Sequence, residues 1–194
     1  MKLEMICFFI LFESNIFSYK NQLNEYFNKM KKELITKRLR LIPVKNQDLD
    51  FLFSFLRNDN IKKYLCDNRN VEKAFVKSII SNSDILFDKK GIGLWLINSL
   101  DKLSPIGFCG FFEDQLLELI FAIHPDNQKH GYATESASKV IEYFNQLDLI
   151  DEIYAKIDKP NIASHVVIAK MGMSEINEEK NQITGGDIKV YKMM

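Results

Sequence analysis

The sequence predicts a single mixed α/β (α+β) domain with a central sheet of about six to seven strands flanked by about four helices. Three consecutive strand-like segments, separated by short turn signals, predict an antiparallel meander between residues 94 and 123. A strongly amphipathic helical segment follows, and strand-like and helical segments then alternate. This order is typical of one sheet layer with helices packed on it.

Each predicted element has its own local pattern. Alternating apolar residues that end at Pro43 predict the first strand, and helical spacing of apolar residues predicts two helices, the second of them after Asn70. The apolar stripe of Ala133–Leu147 predicts the clearest helix, and Asn161 and Gly172 are a typical start and end of a short one. The predicted strands are Ile35–Ile42, Leu94–Asn98, Ile106–Phe112, Leu116–Ile123, Ile153–Ile157 and Lys189–Tyr191.

The composition is that of a folded globular protein. Of the 194 residues, 46% are apolar and 27% are charged, which excludes a disordered chain. Lys and Arg together number 26, as do Asp and Glu, so the formal net charge is zero. Because proteins that bind along nucleic acids usually carry a basic excess, we do not expect nucleic acid as a partner.

Cysteines and apolar runs predict a cytoplasmic protein. Cys7, Cys66 and Cys109 are scattered, without a CxxC or Cys/His cluster, so neither a disulfide framework nor a metal site is expected. The longest apolar run, Ile6–Phe12, has seven residues, whereas a membrane span needs about 20. The run is also not followed by a cleavage site typical of a secretory signal. No membrane association is expected.

The first 33 residues differ from the rest and are predicted to be an extension of a domain that covers residues 34–194. Leu23, Tyr26, Phe27 and Met30 fall at helical spacing and predict an amphipathic helix. That helix packs on the domain, on a second subunit or on neither, and a monomer and a homodimer are both compatible with it. Alternatively, Met30 is the biological start and the segment before it is an over-long gene start.

The segment that joins the strand Leu116–Ile123 to the next helix predicts a site for an anion. A tight turn before a helix N-terminus directs several backbone N–H groups to one place, at the positive end of the helix dipole. Gly131 allows the backbone to approach a phosphate, while Gln128, Lys129 and His130 add hydrogen-bond donors and positive charge.

Two common phosphate-binding loops do not fit this segment. A Walker loop needs GxxxxGK followed by Ser or Thr, and a dinucleotide fingerprint needs GxGxxG, whereas the run holds one glycine. From these six residues alone, an anion site and a purely structural turn at Gly131 are equally compatible with the sequence.

The Gln-x-x-Gly-x-Ala pattern of this turn resembles the acyl-CoA-binding loop of the GNAT superfamily of N-acyltransferases. The surrounding run, ELIFAIHPDNQKHGYATES at residues 118–136, is similar to the branch of the ribosomal-protein N-terminal alanine acetyltransferases. Further motifs of that branch are matched in order by Thr36–Leu41, Ile106–Phe108, Asn161–Ser164 and Lys170–Met173. The resemblance covers residues 34–194 and leaves the first 33 outside.

The resemblance implies a GNAT-like fold and acetyl-CoA as co-substrate. The coenzyme A pyrophosphate would lie on the backbone amides of the loop, and the pantetheine arm would pair with the preceding strand where it splays from its neighbour. Asn161 would bind the pantetheine, with simple helix capping as the alternative. The residues implied in cofactor binding are Phe121, Ala122, Ile123, Gln128, Lys129, His130, Gly131, Tyr132, Ala133, Thr134, Asn161 and Ser164.

The implied reaction is direct attack of a primary amine on acetyl-CoA in a ternary complex. An amine with a pKa of about 8 to 10 must first lose a proton, and Glu118 is the candidate base, acting directly or through a water. The amide near Ile123 would polarise the thioester carbonyl. Ser164 is a candidate contact for the leaving sulfur, because Ile168 stands where many GNAT enzymes have a tyrosine. Structural alternatives stay open for both candidates: an edge-strand glutamate and a helix-surface serine.

The acceptor is either a small-molecule amine or a protein N-terminus. By analogy, its pocket lies between the two early helices and the facing strands, with candidates Phe51, Phe55, Tyr64, Phe75, Trp95 and Phe112. Two other functions also stay open. Ile168 and the bulky Ile120 favour a catalytically silent acyl-CoA-binding or regulatory module, and a structural Gly131 turn would leave an interaction protein.

Overall fold

The computed structural model of the chain describes residues 33–101, 104–147 and 149–193. The predictions for the N-terminal helix and for a start at Met30 lie outside these residues. In the described part of the chain, no helix is both long enough and apolar enough to cross a membrane.

One eight-stranded mixed sheet forms the centre of the fold, which confirms the predicted fold class with one strand more than expected. The strand order is β1-β2-β3-β4-β5-β6-β8-β7. Neighbouring strands are antiparallel except β5 and β6, which are parallel. The strands are β1 Leu34–Ile35, β2 Leu39–Pro43, β3 Leu94–Ser99, β4 Pro105–Glu113, β5 Leu117–Ile123, β6 Ile153–Asp158, β7 Met173–Lys180 and β8 Asp187–Met193.

Two differences from the predicted strands have local causes. The single first strand is a hairpin, β1–β2, whose turn at Thr36 is closed by the Thr36 N–H donating to the Leu39 carbonyl at 2.9 Å. That turn holds neither glycine nor proline, so the alternation of apolar residues continues through it and predicts one strand where the structure has two. β7 was not predicted, because nearly all its residues are exposed and polar; its ladder with β8 holds it in the sheet.

Five α-helices of the described residues cover the two faces of the sheet. One core cluster joins α1, α2 and α3 to strand residues such as Leu94, Phe108 and Ala122. The other joins α4 and α5 to the opposite face, around Trp95 and Phe111. The helices are α1 Leu49–Arg57, α2 Asp59–Leu65, α3 Lys73–Lys90, α4 Tyr132–Phe144 and α5 Ile162–Lys170.

The short helix α2 is the helix that the sequence pattern did not predict. It has two turns, and Ile61 is the one residue of it that is buried, so it carries no apolar stripe. The Asn58 side chain caps it by accepting a hydrogen bond from the Asn60 N–H at 3.1 Å. Its position matters because it forms one wall of the candidate site.

The parallel strands β5 and β6 separate soon after they begin. They pair at Leu117 with Ile153 and at Glu118 with Tyr154. From Leu119 onward, a cavity opens between them. This is the splay that the resemblance implied next to the loop.

Candidate active site

The opening between β5 and β6 forms a cavity of about 560 Å³. Its walls include α2 on one face of the sheet and the start of α5 on the other, so it reaches both faces. The lining residues are Asn60, Ile61, Lys63, Tyr64, Leu65, Leu119, Ile120, Phe121, Ala122, Ile123, Asn127, Gln128, Lys129, Gly131, Tyr132, Ala133, Thr134, Lys156, Ile157, Asp158, Asn161, Ala163, Ser164, Val166 and Val167. The structure thus brings together every predicted cofactor-binding residue except His130.

The edge of β5 directs two backbone amides into this opening. The His124 N–H donates to the Ile106 carbonyl of β4 at 2.7 Å. Because successive amides of a strand point in opposite directions, the N–H groups of Phe121 and Ile123 are directed away from β4, toward β6. The Ala122 amide is directed toward β4, so Ala122 can contribute only its side chain to the cavity wall.

The loop after β5 is held by its own hydrogen bonds. A short 3-10 turn, Pro125–Asn127, follows the strand. The Gln128 side-chain amide then donates to the Ile123 carbonyl at 3.0 Å. Gln128 was predicted to supply donors to an anion, but in the structure its amide ties the loop back to β5. It fixes the position of the amides that follow.

The N-terminus of α4 faces the same opening. Gly131 precedes the helix with φ +80°, and Lys129 has φ +63°. The first helical hydrogen bond runs from the Glu135 N–H to the Gly131 carbonyl at 3.0 Å, so the amides of Tyr132, Ala133 and Thr134 precede the helical ladder. These N–H groups lie at the positive end of the α4 dipole, at the place where the sequence predicts an anion site.

Glu118 lies where the two strands begin to separate, beside the cavity rather than on its wall. Its carboxylate is 3.9 Å from the Lys156 ammonium, which lines the cavity and also lies 3.2 Å from Glu179. Burial raises the pKa of Glu118; the charge of Lys156 opposes this, and Glu179 and Asp114 add to it. The raised pKa suits a group that must accept a proton near neutral pH.

The start of α5 places Asn161 and Ser164 on the cavity wall. The Asn161 Oδ1 accepts a hydrogen bond from the Ser164 N–H at 3.3 Å, so Asn161 caps the helix, as one of its two predicted roles required. Ile168 is fully buried in the core, so a side chain at this position belongs to the packing and not to the cavity. His165 bonds to the Tyr191 hydroxyl at 2.8 Å.

The acceptor-pocket candidates separate into cavity and core. Tyr64 lines the cavity from α2, whereas Phe55 is buried among the α1–α3 residues. Trp95 lies on the other face, against Phe87 at 4.8 Å between ring centroids, so it cannot face the acceptor. Phe75 is exposed on α3.

Several cavity residues are not predicted as site residues by the sequence. Asn60 and Lys63 belong to the unpredicted helix α2, and Lys156 and Asp158 are polar positions of β6, which the sequence predicts from its apolar residues alone. Burial and the nearby Asp67 raise the pKa of Asp158, while Asn181 and Lys63 oppose the shift. Strand alternation is a signal that predicts Lys156 and Asp158 as site residues, since it places both of them on the same face of the sheet as Glu118. Within the described residues no group of His, Cys, Asp or Glu could hold a metal ion.

The fold and the cavity define an acyl-CoA-type transferase architecture: a splayed strand pair that leads into a helix N-terminus. Residues 38–174 match the family model described as an acetyltransferase (GNAT) domain. The chain belongs to the GNAT acetyltransferase family, which confirms the predicted superfamily and the prediction of an enzyme.

A curated relative agrees with this assignment, and solved structures share the fold. YoaA of Bacillus subtilis, named as an uncharacterized N-acetyltransferase, is 31% identical over 149 residues, which is 73% of this chain and 82% of the relative. RimL, a ribosomal L7/L12 alpha-N-protein acetyltransferase solved with coenzyme A, has a TM-score of 0.71 at 14% identity, over 84% of this chain and 97% of that one. A spermidine N-acetyltransferase from Vibrio cholerae, solved with CoA and spermine, has a TM-score of 0.68 at 17% identity, over 81% and 96%.

Proposed function

We propose that the protein transfers an acetyl group from acetyl-CoA to a primary amine, by direct attack within a ternary complex. The observation that carries the proposal is the opening between β5 and β6, where strand amides lead to the N-terminus of α4. An extended polyamide arm that ends in a pyrophosphate needs such a combination: strand-like hydrogen bonds along the arm and a cluster of N–H donors at its end.

The cofactor would occupy the length of this opening. The pyrophosphate accepts hydrogen bonds from the amides of the segment Lys129–Thr134, with the His130 side chain at its edge. The pantetheine arm and its acetyl thioester would lie along the cleft-facing amides of Ile123 and Phe121. Asn161 is within the same wall and would donate its side-chain amide to the arm while its oxygen continues to cap α5.

Proton transfer would begin at Glu118. The amine gives one proton to the Glu118 carboxylate, directly or through a water. Its nitrogen then attacks the thioester carbon. The carbon–sulfur bond breaks as the amide forms. The nitrogen loses its second proton at this step, and that proton passes to the departing thiolate through a water or through the Ser164 hydroxyl, which accepts a proton from the nitrogen as it gives its own to the sulfur. The Lys156 ammonium lies between Glu118 and Glu179 and favours the ionised form of the Glu118 carboxylate.

Distances along β5 refine which amide polarises the carbonyl. A strand advances about 3.3 Å per residue, so Ile123 lies about 16 Å from Glu118 along β5, and Phe121 lies about 10 Å from it. A base and an oxyanion donor must both reach the same reacting centre. With Glu118 as base, we therefore assign the carbonyl-polarising role to the Phe121 amide and leave Ile123 to the pantetheine arm.

The acceptor would enter from the α2 side, past Tyr64, Lys63 and Asp158. Both protein N-termini and small amines fit this description. The protein itself would act as either a monomer or a homodimer. Ile120 is half-buried on this wall and narrows the acceptor side, which favours the second candidate function, an acyl-CoA-binding module without turnover.

A thiol-release assay tests the proposal. Acetyl-CoA is supplied with a panel of peptides, free amino acids, polyamines and aminoglycosides, and reactions without acceptor provide the background. The coenzyme A that is released is detected with a thiol-specific reagent. Burial raises the pKa of Cys66 to about 11 and that of Cys109 to about 12, so these two protein thiols react slowly with that reagent. Release that depends on one amine class supports the enzyme; coenzyme A binding without release on any class supports the silent module.

A further inference from the structure

The turn of the β1–β2 hairpin docks on the first turn of α4, about 100 residues away in the sequence. The Thr36 hydroxyl donates to the Glu135 carboxylate at 2.6 Å, and the Arg38 backbone N–H donates to the same oxygen at 3.0 Å. The Arg38 side chain donates to the other carboxylate oxygen at 2.7 Å through Nε, and its Nη2 lies 2.6 Å from that oxygen. Glu135 is thus bound on both of its oxygens.

The same guanidinium also reaches the loop in front of α4. Its Nη1 donates to the His130 carbonyl at 3.0 Å, and its centre lies 4.8 Å from the centroid of the Tyr132 ring. His130 and Tyr132 flank Gly131, and their rings stack at 5.6 Å. One arginine therefore connects the residue before the glycine, the residue after it and the first turn of the helix.

This loop needs such support because of its backbone. Lys129 is a non-glycine residue in the left-handed region, and Gly131 lies in the same region two residues later. A left-handed conformation costs a non-glycine residue energy and persists where surrounding contacts impose it. The contacts of Arg38 with His130, Tyr132 and Glu135 span this segment.

We infer that Arg38 is a positioning residue for the coenzyme A pyrophosphate loop, acting through His130 and Glu135 rather than by touching the cofactor. The inference rests on the proposed function. Arg38 would have two effects. Its guanidinium group holds the His130 carbonyl of the loop. Its charge also neutralises the Glu135 carboxylate, which would otherwise repel a phosphate bound at the N-terminus of α4.

These two effects predict an order among variants. Arg38→Ala removes the guanidinium group and uncovers the negative charge of Glu135, so the Kd for coenzyme A and the KM for acetyl-CoA rise about tenfold or more. Glu135→Gln removes the charge but keeps the loop contact, and its effect is smaller. The double variant regains part of the affinity lost in Arg38→Ala, because the uncovered charge is gone.

Titration of coenzyme A by calorimetry, together with steady-state kinetics, tests this order. Arg40→Ala is the matched control, since Arg40 loses the same charge two residues away and pairs with Glu33 instead of the loop. We expect unchanged Kd for Arg40→Ala, and for Arg38→Ala a raised KM for acetyl-CoA with kcat and the acceptor KM nearly unchanged. A uniform loss of kcat in Arg38→Ala, without a change in Kd, would overturn the inference.

Two further arms separate positioning from direct contact. Arg38→Lys keeps a positive charge beside Glu135 but cannot bind Glu135 and the His130 carbonyl together, so it should bind coenzyme A more tightly than Arg38→Ala and more weakly than the wild type. Full affinity in Arg38→Lys would mean that the charge alone suffices, and it would overturn the inference. Loss of affinity should also be equal for coenzyme A and its 3′-dephospho form. If the wild-type protein binds neither, the proposed function fails; if the wild type binds and Arg38→Ala binds equally well, the positioning role alone fails.

Discussion

Replacing Gly131 by alanine should weaken cofactor binding through backbone conformation rather than through a clash. Gly131 has φ +80°, and a Cβ placed there would meet the Arg38 guanidinium at 3.5 Å, an ordinary contact. The left-handed region costs an L-residue about 1–2 kcal/mol. The loop of the variant can relieve this strain by adopting another conformation when no cofactor is bound. Cofactor binding must then restore the strained conformation, and about 1.4 kcal/mol of strain corresponds to a tenfold weaker Kd.

Thermal unfolding with coenzyme A measures this effect. A ligand at 100 times its Kd stabilises the native state by about 2.7 kcal/mol. At the same concentration and a tenfold weaker Kd, the same relation leaves about 1.4 kcal/mol. The rise in Tm on adding coenzyme A should therefore fall to about half in Gly131→Ala.

Gly172→Ala is the matched control for the strain itself. Gly172 has φ +75° and nothing within 4 Å of an added Cβ, and it follows α5 away from the loop. Without ligand it should lose about 1–2 kcal/mol, a fall in Tm of about 2–8 °C, and it should keep the full ligand-induced shift. Equal ligand-induced shifts in both variants would refute the argument that the Gly131 conformation presents the anion site.

Three other predictions concern the reacting groups. In the wild type, kcat/KM should rise with pH as Glu118 loses its proton, with a midpoint above the usual pKa of about 4.3 because burial raises it. Glu118→Gln should remove this limb, so that the remaining rise follows the pKa of the amine itself, about 8 to 10. An identical limb in the variant would exclude the base role. Lys156→Met should shift that limb to higher pH, because the ammonium favours the ionised carboxylate; a shift to lower pH would contradict the pairing. Asn161→Ser keeps a good N-cap but is too short to reach the pantetheine arm, so Tm should stay the same while the KM for acetyl-CoA rises about tenfold; an unchanged KM would leave Asn161 as a cap alone.

The sequence predicts the catalytic side of this fold well because its signals are local. The meander β3–β5, the helix α4 and the turn at Gly131 each follow from short patterns of apolar residues, turn residues and one glycine. Those patterns survive in the structure because the same apolar residues that define them, such as Leu119 and Val140, are fully buried.

The other parts of the fold and of the candidate site were predicted poorly because their signals are not local. Helix α2 has too few buried residues to show periodicity, and β7 is an exposed edge strand held by its ladder to β8. Arg38 and Glu135 are nearly 100 residues apart, and no pattern in one chain connects them. The aromatic residues Trp95 and Tyr64 look alike in sequence, and only packing assigns the first to the core and the second to the cavity.

The most direct test of the central claim is a comparison of thermal shifts with acetyl-CoA, free coenzyme A, ATP and NAD, using the full chain. The β5–β6 opening and the α4 N-terminus together predict a rise in Tm of several degrees with both coenzyme A ligands at saturation, and a smaller or absent rise with ATP and NAD, which lack the pantetheine arm. No rise with either coenzyme A ligand would contradict the account and leave Gly131 as a structural turn.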